Sequence, residues 1–383
     1  MDFELDEAQR ELRDLARAWV DKEVIPHAAA WDRAEAVDTA IVGKLGDMGF
    51  LGIEIPEEYG GSGGTALDYC LLLEELGRGD SSVRGIVSVS LGLVGKSIKT
   101  YGTEAQKREW LPRLCAGQAL GCFGLTEPGI GSDAGNLTTK AVADGTDWLL
   151  SGTKMFITNG TWAEVAIIFA RTGGPGPKGV TAFLVSTDTP GFTRTEIKGK
   201  LGLRGQATAE FVLDQVRVPD ANRLGDLGQG FKIAMGALDK GRMGVAAGCV
   251  GVARGCLEAA VKYAGEREQF GKPIASYQLV QELLADIAVD VEAARLLTWR
   301  VAHLVEHGKP FGTEASVAKL FASEAAVKAA NNAIQVFGGY GYIDEFPVSK
   351  YLRDARVLTL YEGTSQIQKL LIGRALTGVN AFL

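Results

Sequence analysis

Trp148-Leu149-Leu150 and Lys154-Met155-Phe156-Ile157-Thr158-Asn159-Gly160 set a strand pattern into the middle of a chain whose other long stretches have helical spacing. Both runs are short, aromatic or β-branched, and bounded by turn-forming residues, which is how strands read. Val165 to Phe169, Thr181 to Val185 and Glu210 to Leu213 repeat the pattern, so residues from about 120 to 219 predict a β-domain of sandwich or barrel type. Asn159-Gly160 predicts a hairpin turn, and Gly173-Gly174-Pro175-Gly176-Pro177 a surface loop.

Upstream, Leu5, Leu12, Leu15, Ala16 and Trp19 recur every three or four residues, and Ile41, Val42, Leu45 and Met48 do so until Gly49 stops the helix. Asp80 is placed to cap the apolar run through Ser97, and Thr103 with Gln106 forms a capping box. Downstream, stretches of about 228–264, 276–305, 313–337 and 364–380 carry the helical period between short polar breaks, which predicts an antiparallel four-helix bundle. The fold class is therefore mainly α with a central β-domain. An N-terminal helical domain spans 1–119, a β-sandwich or barrel domain 120–227 and a C-terminal four-helix bundle 228–383.

With 383 residues, 46% of them hydrophobic and 23% charged, the chain has an ample core. A net charge of −7 and a pI near 5.3 argue against nucleic acid as the main partner, since phosphate binding needs a basic face. Five cysteines without a CxxC pair and three histidines predict neither a metal site nor a disulfide framework. Cys249 and Cys256 suit buried small positions in a helix. The start Met1-Asp2-Phe3-Glu4-Leu5-Asp6 is acidic and unlike a signal peptide, and no uninterrupted apolar run reaches the ~18 residues of a membrane span. A cytoplasmic location without a membrane span is the expectation.

Three strings carry candidate chemistry. Leu360-Tyr361-Glu362-Gly363-Thr364-Ser365-Gln366-Ile367-Gln368 sets one carboxylate at a chain reversal. Gly363 can take backbone angles closed to side chains, and Thr364 or Ser365 can cap a new helix with Gln368 near the capping-box offset. Such a corner can project a base into a cavity; the same string also fits a helix boundary with a solvated Glu. Cys122-Phe123-Gly124-Leu125-Thr126-Glu127-Pro128-Gly129-Ile130-Gly131-Ser132-Asp133 offers backbone N–H groups and a hydroxyl to an anion, or forms a plain turn, and fits neither the dinucleotide nor the Walker pattern. Phe156, Ile157 and Thr158 could wall a flat ring and bond its edge.

Together the three strings resemble the acyl-CoA dehydrogenase family over nearly the whole chain. Leu238-Asp239-Lys240-Gly241-Arg242, Arg267-Glu268-Gln269-Phe270-Gly271, Gln278 and Gln335-Val336-Phe337-Gly338-Gly339-Tyr340-Gly341 add collinear matches. The resemblance implies FAD as cofactor and a homotetramer built as a dimer of dimers. Phe123, Leu125 and Thr126 would line the flavin ring, Ser132 would sit by the pyrophosphate and the thioester's pantetheine, and Phe156, Ile157 and Thr158 would close the other side, Thr158 at N5. Arg267, Gln269, Phe270, Gln278 and Gln335 to Gly339 (Val336, Phe337 and Gly338 between them) would hold a neighbouring subunit's FAD, with Thr364, Ser365 and Gln366 also among the cofactor-binding residues. Exposed Arg267, a core Phe270, and a core Phe337 with Gly338 and Gly339 as helix cap are the structural alternatives.

By the same resemblance Glu362 would remove the α-proton of an acyl-CoA thioester while the β-hydride passes to flavin N5, giving a trans-2-enoyl thioester in a β-oxidation-type step. The backbone N–H of Glu362 and a flavin ribityl hydroxyl would steady the enolate, and electron transfer flavoprotein would reoxidise the flavin. Isovaleryl- and long-chain-type members carry their base where this chain has Gly241, so no carboxylate competes with Glu362. Leu201-Gly202-Leu203-Arg204-Gly205 and Gly228-Gln229-Gly230-Phe231-Lys232 are similar to the short-chain, butyryl-type branch. Gly363, Asp239 and Arg242 match substrate-binding positions, although Asp239 and Arg242 also fit a salt bridge within a helix. Arg84 and Ser88, and Gly373-Arg374-Ala375-Leu376-Thr377-Gly378, resemble the glutaryl-CoA dehydrogenases, where such an Arg meets a distal carboxylate; some members acting on carrier-protein-tethered chains have a comparable Arg, and an Arg84–Asp80 ion pair is the structural alternative. An acyl-CoA oxidase, which the length disfavours, a silent flavoprotein and a flavin monooxygenase are the other readings.

Overall fold

Reciprocal caps set the helical frame. In the computed structural model, which describes residues 4–381, Asp6, Thr65 and Thr103 each accept from the N–H three residues on, while Gln9, Asp68 and Gln106 reach back. The first helices are α1 (Glu7–Glu23), α2 (Ile25–Ala34), α3 (Ala40–Asp47), α4 (Ala66–Gly79), α5 (Ser81–Val89), α6 (Lys96–Tyr101) and α7 (Glu104–Cys115). Residues Met1 to Phe3 of the acidic start, and Phe382 and Leu383, lie outside the described part. In α1, Ala16 and Val20 are buried while Leu15, expected inside, faces out. Asp80 caps α5 as expected, and a π-helical stretch, Ser90–Gly95, carries the chain from α5 into α6.

The central strands are β1 (Gly121–Gly124), β2 (Lys140–Asp144), β3 (Asp147–Thr158), β4 (Val165–Arg171), β5 (Val180–Ser186), β6 (Phe192–Glu196), β7 (Thr208–Pro219) and β8 (Arg223–Leu224). They form one mixed sheet in the order β6-β7-β3-β2-β4-β5-β8, with β1 parallel on β4. The expected hairpin at Asn159-Gly160 does not form, because β2 rather than β4 lies beside β3. Asn159 instead turns left-handed (φ 62°), and its buried amide donates to the carbonyls of Ile86 and Gly121, 3.3 Å each. That ties the end of β3 to α5 and β1. The mostly exposed β2 and β6 carry no apolar run, which is why the strand pattern misses them.

The remaining helices are α8 (Gly230–Glu266), α9 (Gln278–Glu306), α10 (Gly312–Phe337), α11 (Val348–Leu358) and α12 (Ser365–Thr377), with a two-stranded ribbon of β9 (Glu268–Gln269) and β10 (Lys272–Pro273) after α8. The four expected long helices are present, and α11 is an extra one. α8 packs against α4, α9 and α10, and α12 against α10. α8 is also long and apolar enough by composition to cross a membrane, but 72% of its most apolar window is buried inside the protein. All five cysteines are free and buried, Cys249 and Cys256 on α8 among them.

One buried ionic knot joins the three regions. Lys350 Nζ of α11 lies 2.8 Å from Asp80 Oδ2 and 2.6 Å from Asp354 Oδ2, and Asp354 Oδ1 accepts from Leu203 N–H at 2.7 Å. Asp80 also takes the N–H groups of Ser82 and Val83 at 2.6 and 3.1 Å. Asp80 is thus spoken for by Lys350 and the cap, and the Arg84–Asp80 ion pair does not form. Both carboxylates push the Lys350 ammonium well above its ordinary range against the opposing effect of burial. Lys350→Met would strand two buried carboxylates and is expected to destabilise the fold by about 3–5 kcal/mol at pH 7. The loss should shrink as pH falls and the aspartates protonate, which denaturant titrations at several pH values would measure.

Candidate active site

The chain between α11 and α12 reverses through two left-handed residues, Glu362 (φ 51°) and Gly363 (φ 92°). Gly363 does what its lack of Cβ allows; Glu362 does the same at a cost of about 1–3 kcal/mol. Thr364 caps α12 by accepting from Ile367 N–H at 3.2 Å. The cap residue being Thr364, Gln368 falls one place beyond the capping-box position. Its amide turns to the corner instead, donating to the carbonyls of Glu362 at 3.1 Å and Gly363 at 3.0 Å.

The Glu362 side chain points inward. Its Oε2 is inaccessible and has no hydrogen-bond partner among the described residues. A methyl group on Gly241 of α8 would come within 2.1 Å of it, so the carboxyl occupies the space that this glycine leaves. Burial raises the Glu362 pKa to about 7, against the nearby charges of Arg84, Lys319 and Arg242, which pull it down. The Glu362 N–H donates to no protein acceptor among the described residues.

The cations around it come from three helices. Arg84 of α5 is buried, donates to Ser88 Oγ at 3.1 Å and to Tyr361 Oη, and leaves its Nε without a partner. Arg242 of α8 pairs with Asp239, as expected, and directs Nε at the Glu362 carbonyl at 3.4 Å. Lys319 of α10 is wholly buried and donates from Nζ to the Gly363 carbonyl at 2.9 Å. Neither Lys319 nor Tyr361 is foreseen from the sequence. The signal for Lys319 is a lone cation in the small-residue run Ala315-Ser316-Val317-Ala318 before it.

The sheet brings a second set of expected residues to the same region. Phe123 of β1 packs on Val89, Leu93 and Ala237, and Leu93 borders Gly241, which connects the sheet to the Glu362 corner. The Met155 N–H donates to the Thr126 carbonyl at 2.9 Å, so Leu125 and Thr126 lie beside the run Phe156-Ile157-Thr158. A register shift in the β3–β7 ladder between Lys154 and Ile157 gives Phe156 a φ of 60° and leaves it 64% exposed. Ile157 is buried, and Ser132 sits in an exposed loop with Gly129 and Gly131. Beneath them is an ion pair absent from the sequence reading. Lys154 Nζ reaches Glu127 Oε1 at 2.9 Å and donates to the Leu125 carbonyl at 3.2 Å, while Glu127 also accepts from Thr138 and Thr139.

A third set stands apart. Arg267, Gln269, Gln278, Gln335 and Gly339 are exposed, Phe270 is 95% exposed rather than in the core, and none of them touches Glu362. Phe337 is buried and stacks on Tyr263 with ring centres 4.0 Å apart, Val336 is buried beside it, and Gly338 caps α10. Ser365 and Gln366 line a cavity of about 150 Å³ with Glu324, Arg356 and Thr359.

The arrangement can abstract a proton at a carboxyl withdrawn from water at Oε2 and steady an oxyanion at a free N–H. Gly241→Ala should keep the fold but displace the Glu362 carboxyl by about 1 Å and lower kcat roughly 100-fold, a loss that turnover assays beside a crystal structure of the variant would check.

Comparison with known proteins bears on what uses this geometry. Family models for the acyl-CoA dehydrogenase N-terminal, middle and C-terminal domains match residues 6–118, 122–216 and 228–377. The rat mitochondrial short-chain specific acyl-CoA dehydrogenase is 45% identical over 96% of this chain and 90% of its own length. Butyryl-CoA dehydrogenase from Megasphaera elsdenii superposes with a TM-score of 0.96 at 41% identity, covering 98% of this chain and all of its own. Glutaryl-CoA dehydrogenase from Mycobacterium smegmatis does so at 0.94 and 40%, covering 99% and 97%. The chain belongs to the acyl-CoA dehydrogenase family.

Proposed function

We propose that this chain is an FAD-dependent dehydrogenase of a short or branched acyl-CoA thioester, giving the trans-2-enoyl-CoA with Glu362 as the α-proton base. The observation that carries the reading is the Glu362 carboxyl: inaccessible and unpaired at Oε2 on a half-buried residue, and raised to about 7. A thioester α-proton is weakly acidic, so a base must be strengthened by loss of water while the developing enolate is stabilised. The unengaged Glu362 N–H supplies one donor for the enolate oxygen. Similarity to the short-chain and butyryl-CoA enzymes supports a short acyl group.

The residues fit a flavin. Phe156 offers an open aromatic wall, Thr158 a hydroxyl at its edge, and Gly129 and Gly131 have open space about their Cα positions. When bound, the flavin supplies the two-electron acceptor for the β-hydride. Phe123, Leu125, Thr126 and Ile157 would hold its ring, and Ser132 its pyrophosphate. Arg267, Gln269, Phe270, Gln278 and Gln335 face outward, as residues serving a neighbouring subunit's cofactor in a homotetramer would. Electron transfer flavoprotein is the proposed oxidant; slow reoxidation by air in stopped flow would set it apart from an oxidase.

A carboxylated, glutaryl-type tail is the second reading, favoured by Arg84. Its guanidinium is buried, bonds only neutral hydroxyls and leaves Nε unpartnered, with Glu362 near but not paired to it, so a substrate carboxylate would supply the direct partner. Butyryl- and glutaryl-CoA should be compared across Arg84→Ala, where a loss confined to glutaryl-CoA is the outcome expected of this second reading. Equal losses would end it.

Glu362→Gln should leave the flavin bound and abolish its bleaching by butyryl-CoA under nitrogen. In the native enzyme kcat/KM should rise with pH through about 7, because only the unprotonated carboxylate can accept the proton.

A further inference from the structure

Three side-chain donors converge on two backbone carbonyls at the reversal. Arg242 and Gln368 reach the Glu362 carbonyl at 3.4 and 3.1 Å, and Gln368 and Lys319 reach the Gly363 carbonyl at 3.0 and 2.9 Å. The donors stand on α8, α12 and α10, so the two peptide planes are held from three directions. Planar peptides place each N–H opposite its carbonyl, and fixing these carbonyls fixes the orientation of the whole turn. Two consecutive left-handed residues, one of them bearing a side chain, do not hold that shape alone.

We infer that Lys319 is a positioning residue for the base: its buried ammonium clamps the Gly363 carbonyl and so aims the Glu362 carboxyl at the space above Gly241. Lys319 makes no ion pair with the carboxyl; its single hydrogen bond among the described residues is to the corner. Burial lowers its pKa to about 8, which leaves it largely charged at neutral pH. Its charge is one of those that pull the Glu362 pKa down. The other groups facing Glu362 are Arg84 of α5, Tyr69 of α4, Arg242 and Cys249 of α8, and its own neighbour Tyr361. Lys319 alone among the cations holds Gly363.

The inference rests on Glu362 as the base, and two variants separate its parts. Lys319→Met removes donor and charge; Lys319→Gln keeps a donor without charge. The pH titration of the Glu362 carboxyl is read by infrared difference spectroscopy with Glu362→Gln as blank, beside steady-state kinetics and bound flavin as a check on folding. In Lys319→Met, kcat should fall about tenfold or more with KM changed less than about threefold, and the carboxyl should titrate at higher pH. In Lys319→Gln much of kcat should return while the titration stays displaced, and this variant carries the test if the Met variant does not fold. A folded Lys319→Met with native kcat, a loss seen in KM alone, or a Lys319→Gln that restores no more kcat than Lys319→Met would overturn the clamp. Substantial turnover by Glu362→Gln would instead overturn the base assignment, so the two failures are distinguishable.

Discussion

Withdrawal of one carboxyl from water governs this structure. For Glu362, burial outweighs three cations supplied by Arg84, Lys319 and Arg242, and the group ends near 7. The balance depends on how those cations are engaged. None makes a salt bridge with Glu362: Arg84 bonds to Ser88 and Tyr361, Lys319 to a carbonyl, and Arg242 to Asp239. A direct pair would deepen the attraction and hold the carboxylate in a weakly basic state. Keeping the charges near but bonded elsewhere stabilises the fold of the corner without spending the basicity of its carboxyl.

That arrangement requires α5, α8 and α10 to meet behind the α11–α12 reversal. Lys350, Asp80 and Asp354 lock α5 to α11, and Leu203 brings in the loop before β7. The same knot that caps α5 therefore aims Arg84, because Asp80 and Arg84 lie one turn apart on it. The absence of an Arg84–Asp80 pair follows directly, since Asp80 already receives two backbone N–H groups and an ammonium.

Much of this was legible in the sequence because it is written in local terms. Helical period gave the long helices, and Gly363 with Thr364 gave a turn and a cap. The family resemblance, not local pattern, marked Gly241 as a place without a competing carboxylate. What stayed hidden depends on pairings far apart in the chain. No local pattern says that Lys154 meets Glu127, that Lys319 meets Gly363, or that β2 rather than β4 lies beside β3. Gln368 shows the limit well: its offset suggested a capping box, and the choice of Thr364 over Ser365 as cap moved it to the corner carbonyls.

Backbone strain follows the same division. Among the described residues, seven that bear side chains have positive φ, and three of these, Phe156, Phe270 and Glu362, are candidate site residues. Each conformation costs free energy that only surrounding contacts can offset. Around Glu362 those contacts are visible as the three donors on its corner. Around Phe156 they are partly visible, as the bulge in the β3–β7 ladder. Phe270 has almost none within its own chain, its ring meeting Tyr277 edge-on at 6.4 Å. A strained aromatic residue left 95% exposed combines two unfavourable terms. Contacts made outside the single chain would offset both.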